Sequence, residues 1–72
     1  MTIQLTKHAQ SRMGSRAIKK EYIQAVLAKQ FWRDCEKYRA TVDIKIGNSL
    51  KKLTVIFRVE CKRAVIITLF WN

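Results

Sequence analysis

His8, Arg12 and Arg16 follow one another at spacings of four in the run His8-Ala9-Gln10-Ser11-Arg12-Met13-Gly14-Ser15-Arg16. On a helix a step of four advances the azimuth by only about 40°, so an imidazole and two guanidiniums stand on one side. Ala9, Met13 and Ala17 form the neighbouring stripe, and all three are apolar. A helix seated by that stripe points one titratable base and two permanent cations outward, which suits contact with a polyanion. The chemistry to expect is on a phosphodiester. A base removes the proton of a 2′-hydroxyl, cations stabilise charge on the phosphoryl oxygens, and an acid protonates the departing 5′-oxygen. Guanidiniums grip phosphate in bidentate fashion, which lysine cannot do. His8 is the single histidine, so the acid has to be a lysine, a tyrosine such as Tyr38, or water.

The rest of the chain supplies a field for the same partner. Fifteen Lys and Arg against five acidic residues give a net charge of +10 in 72 residues, and such an excess attracts nucleic acid or an anionic surface. Arg33, Lys37, Arg39 and Arg58 are the candidate nucleic-acid contacts, within a wider spread of Lys45, Lys51, Lys52, Lys62 and Arg63. Trp32, Tyr38 and Phe70 could stack on bases, although small domains spend most aromatics on the core. Glu21, Asp34, Glu36, Asp43 and Glu60 are scattered, with no carboxylate cluster of the kind a two-metal nuclease uses. Cys35 and Cys61 fit no zinc-ligand spacing and read as free thiols. We therefore expect no metal and no cofactor. The segment before Lys7 lacks the apolar core of a signal peptide, and the longest apolar stretch, Ala64 to Trp71, is far too short to span a bilayer. A cytoplasmic protein with no membrane partner is the expectation.

Elements that position these residues can be read from periodicity. A single domain, residues 1–72, lies near the lower size limit for folding without a staple. Thr6 is placed to cap a helix from about Lys7 to Ser15. Lys19 to Gln30 sets Tyr22, Ile23, Val26 and Leu27 on one stripe, with Ala25 and Ala28 beside it, which predicts a second, amphipathic helix. From there the period changes to two. Val42, Ile44 and Ile46 alternate with Thr41, Asp43 and Lys45, and Gly47-Asn48-Ser49 supplies a hairpin turn. Lys52 to Glu60 sends Leu53, Val55, Phe57 and Val59 to one face, and Cys61-Lys62-Arg63 turns the chain again. The last strand, Ala64 to Phe70, is apolar on both faces apart from Thr68, as a central strand would be. Trp32 to Arg39 is a possible fourth strand. The fold class is α+β, two N-terminal helices packed on a three- to four-stranded antiparallel sheet.

The string Thr6-x-His8-Ala9-x-x-Arg12-Met13-x-x-Arg16-x-Ile18, with the amphipathic helix and the terminal strand Val65-Ile66-Ile67-Thr68-Leu69-Phe70, resembles the small bacterial DUF4258 domains. That family is similar to the RelE-like and barnase-like toxin nucleases, in which two N-terminal helices lean on an antiparallel sheet and RNA is cut without metal. The resemblance implies that His8, Arg12 and Arg16 on the helix, and Thr68 on the last strand, are the catalytic positions. One departure is visible: a Gly is common after the second Arg, and Ala17 stands there, so the exit from the first helix should differ. The expected function is a small metal-independent ribonuclease of toxin-antitoxin type acting on single-stranded RNA, held in check by an acidic antitoxin protein. The alternative is a non-catalytic nucleic-acid-binding or adaptor domain of the same fold.

Overall fold

The computed structural model describes residues 2–29 and 32–72. In chain order the elements are β1 (Thr2–Leu5), α1 (Lys7–Ser15), α2 (Lys20–Leu27), β2 (Glu36–Ile46), β3 (Ser49–Glu60) and β4 (Arg63–Trp71). The four strands form one sheet in the order β1-β4-β3-β2. β4 is thus a central strand, as its two apolar faces demand. The sheet is mixed and not antiparallel throughout, because β1 lies parallel to β4, with Ile3 opposite Ala64 and Leu5 opposite Ile66. Nothing in the four residues of β1 alternates long enough to stand out in the sequence; pairing with a strand some sixty residues away creates it. Trp32 to Arg39 is not a strand of its own. Glu36 to Arg39 is the first third of β2, and β2 continues unbroken to Ile46. Gln30, the expected last residue of α2, lies outside the described residues, and α2 ends at Leu27.

Both helices cover the same face of the sheet. Their buried residues Ala9, Ile23 and Val26 join Ile18, Leu53, Val55, Phe57, Val59, Ala64, Ile66 and Leu69 in one core. Phe57 is fully enclosed by a T-shaped stack with Trp32 at 4.9 Å and a tilted contact with Tyr38 at 5.6 Å. Trp32 donates its indole N–H to Leu27 O at 3.0 Å, which ties the residues after α2 to the helix end. Trp32 and Tyr38 are therefore core aromatics and not stacking platforms. Among the described residues no helix covers the opposite face. Lys37, Arg39, Thr41, Asp43 and Lys45 of β2 share it with Lys52, Thr54, Ile56, Arg58 and Glu60 of β3, and with Val65, Thr68 and Phe70 of β4. Thr54 is fully buried within it, and its hydroxyl is satisfied by Thr41 Oγ1 at 3.0 Å and Asn72 Nδ2 at 2.9 Å.

Four turns carry left-handed backbone, one of them at Cys35, φ 63°, just before β2. Gly47, at φ 60°, begins the two-residue turn between Ile46 and Ser49, where glycine meets no penalty. Cys61 and Lys62, at φ 50° and 60°, make the type I′ turn between Glu60 and Arg63 with neither residue a glycine. Ala17, at φ 53°, follows Arg16, the last half-helical residue of α1. Ile18 N–H donates to Met13 O at 3.0 Å, which makes this a Schellman closure with Ala17 in the place glycine favours. The apolar stripe of α1 consequently ends at Met13; Ala17 has left the helix and is exposed. Ala17→Gly is expected to stabilise the domain by about 0.5–1 kcal/mol, the removed steric cost less the added freedom of the unfolded chain. A thermal melt should show a rise of a few degrees, and a fall would contradict the closure described.

Candidate active site

Thr6 organises the corner where the site lies. Its hydroxyl accepts from Ala9 N–H at 3.1 Å, capping α1, and stands 2.9 Å from Ile66 O and 3.2 Å from Ile67 O on β4, to which it donates. Its own N–H donates to Ile66 O at 3.3 Å. One residue therefore starts the helix and pins that start to the middle of β4. The sequence shows the cap and gives no sign of the second anchor. Thr6→Ala should lower stability by about 1–2 kcal/mol through the lost cap, and Thr6→Ser should restore most of it. Equal melting temperatures for the wild type and the alanine variant would show that the anchor contributes nothing.

At the same place the β3–β4 register shifts. Ile56 lies opposite Thr68 and Phe57 opposite Ile66, so Ile67 is an extra residue on β4. Bulges of this kind bend a strand and re-aim a side chain. Thr68 shares the helix-free face with Ile56, and β1 has already ended at Leu5, so this stretch of β4 meets α1 in place of another strand. His8, two residues after Thr6, brings Nε2 to 3.1 Å from Thr68 Oγ1. His8 is exposed and Thr68 half-buried. Either nitrogen tautomer satisfies the bond: with Nε2–H donating to Thr68 Oγ1, Nδ1 carries the free lone pair, and with Nε2 accepting, the Thr68 hydroxyl donates.

The four positions expected to be catalytic are thus not one cluster. His8 and Thr68 meet. Arg12 is half-buried one turn along α1 from His8. Arg16 lies past the helix, about 12 Å along the axis from His8 by helical rise, and its carbonyl accepts from Trp71 Nε1 at 2.9 Å. Trp71 itself is gripped by Tyr22, edge-on at 6.0 Å, and by Lys51, 5.7 Å above the ring. This contact holds the end of α1 to the end of β4, just as Thr6 holds its beginning. Tyr38 is not placed to serve as the acid. It lies on the helix side of β2, and its hydroxyl accepts from Arg33 N–H at 2.8 Å.

The candidate nucleic-acid contacts divide as well. Lys37 and Arg58 are opposite one another on the open face, and Arg39 is opposite Ile56. Thr68, Ile56 and Arg39 consequently form one lateral row across three strands, spanning about 10 Å. Arg58 also holds Glu60 at 3.0 Å, an exposed pair with little effect on stability. Arg33 precedes β2 and is not in that row. Of the aromatics considered for stacking, only Phe70 lies on this face, opposite Thr54. Cys35 and Cys61 are free and exposed. Among the described residues no three His, Cys, Asp or Glu side chains gather as a metal site, and no helix is long and apolar enough to cross a membrane. A shallow groove of about 230 Å³ between Ile3, Gln24, Leu27 and Ala28 has none of the site residues in its lining. No profile of a known family, no curated protein and no solved structure matches this chain.

Proposed function

We propose that this chain is a small metal-independent ribonuclease that cuts single-stranded RNA, with the fold and toxin-like role that its resemblance to the DUF4258 and RelE-like domains implies, and that an acidic protein partner restrains it. The observation that carries the reading is the His8–Thr68 pair, 3.1 Å apart at the margin of a cationic sheet face. RNA lying across that face meets Arg39, Lys37 and Arg58, and Phe70 offers a surface for a base. With Nε2–H held by Thr68, Nδ1 of His8 accepts the 2′-hydroxyl proton. The 2′-oxygen bonds to phosphorus, the bond from phosphorus to the 5′-oxygen breaks, and water protonates that oxygen, leaving a cyclic phosphate. Arg12 neutralises charge on the phosphoryl oxygens.

The test is purified protein incubated with end-labelled single-stranded RNA in excess EDTA. Cleavage to cyclic-phosphate ends supports the reading. Intact RNA that nonetheless binds replaces it with the non-catalytic binding domain, a reading favoured by one observation: the described hydrogen bonds bring no acid to His8. Affinity should fall steeply with salt. Contacts from Lys37, Arg39, Arg58 and Arg12 give a slope of log K against log salt of about −3 for a single strand. A salt-independent affinity would remove nucleic acid as the partner.

A further inference from the structure

Among the described residues no strand pairs with the outer edge of β2. β2 is the outer strand, eleven residues long, and pairs with β3 along its whole length without a register shift. The two-residue turn makes Ile46 and Ser49 the closing pair, which in such hairpins exchanges both backbone bonds. Counting back in twos, Ile44, Val42, Ala40, Tyr38 and Glu36 spend their backbone groups on β3. Lys45, Asp43, Thr41, Arg39 and Lys37 turn theirs outward. Lys29 Nζ donates to Thr41 O at 3.1 Å, which agrees with that direction. Among the described residues this is the one bond reaching the backbone groups of the outward row.

An open edge of this length is a template for another strand. Its two sides specify what that strand carries. On the helix side Ala40 and Val42 are half-buried at the margin of the core and accept apolar neighbours. On the other side Lys37, Arg39 and Lys45 are exposed, against a single carboxylate, Asp43, which is opposite Lys52. We propose that an extended segment of an acidic partner protein adds to β2 as a fifth strand, its carboxylates over Lys37, Arg39 and Lys45 and its apolar side chains beside Ala40 and Val42. A second copy of this chain is disfavoured as the occupant, because two bodies of charge +10 repel. The inference rests on the part of the proposed function that gives the chain an acidic protein partner, and it does not depend on cleavage.

The experiment titrates the full chain, ¹⁵N-labelled and at low salt, with a blocked peptide of about ten residues alternating Glu and Val. A second peptide of the same sequence has alternate backbone nitrogens methylated, which keeps its charge and removes the donors a strand needs. Slowed amide exchange at Lys37, Arg39, Thr41, Asp43 and Lys45, with binding about tenfold weaker for the methylated peptide, supports strand addition. Equal binding by the two peptides, shifts confined to residues outside β2, or no saturable binding of either would overturn it. The RNA assay separates the two proposals. Intact RNA with strand addition removes only the ribonuclease, whereas cleavage without strand addition removes only the docking mode.

Discussion

If the chain cuts RNA as proposed, His8→Ala is expected to slow cleavage by on the order of a hundredfold or more, the usual worth of a positioned general base. The same variant should keep its fold, because His8 is exposed and among the described residues makes one side-chain bond, to Thr68. RNA affinity should stay within about twofold of the wild type, since the proposed phosphate contacts lie elsewhere. Arg12→Ala behaves differently. A guanidinium that touches the phosphate acts in the ground state and more strongly as charge develops, so affinity and rate should both fall, and Arg12→Lys should recover the affinity better than the rate. Single-turnover cleavage beside equilibrium binding distinguishes these patterns. Wild-type cleavage by His8→Ala would end the assignment of His8 as base.

Val55→Asp should abolish folding. Val55 is fully buried on the helix side of β3, opposite Ala40 and Leu69, and a carboxylate there has no partner. Burying an unpaired charge costs several kcal/mol, while a domain of this size holds only about 3–5 kcal/mol in total. Circular dichroism should show loss of the cooperative melt. Ile56→Asp, one residue on and facing away from the helices, should by contrast remain folded. Cooperative melting of Val55→Asp at the wild-type temperature would mean that the two faces of β3 are interchanged.

The long-period and short-period patterns were legible where a face repeats over several turns or pleats. Leu53, Val55, Phe57 and Val59 are all fully buried, Ile23 and Val26 carry the core side of α2, and α1 spans the residues that Thr6 and Gly14-Ser15 delimit. What stayed hidden depends on distant partners. β1 exists because β4 accepts it in parallel, so the sheet is mixed. The extra residue at Ile67 leaves no mark in an apolar run, yet it determines how Thr68 lies against His8. Helical spacing also overstated the unity of His8, Arg12 and Arg16, because it assumes that the helix continues; the left-handed Ala17 ends it after Ser15. The departure at Ala17 was visible as a residue, and only the backbone angle shows that the turn there keeps a glycine's conformation without the glycine.

The parallel pairing of the first strand with the last has a consequence for biosynthesis. Thr6 and His8 emerge from the ribosome early, whereas their partners Ile66 and Thr68 are made some sixty residues later. Contacts of such long range form late and slowly. A nascent chain lacking β4 holds a helix with no surface to dock on and an imidazole with nothing to orient it. The order of synthesis therefore sets the order of assembly: the His8–Thr68 pair forms only after the strand that ends at Trp71 has been made, and a chain truncated before Thr68 lacks it.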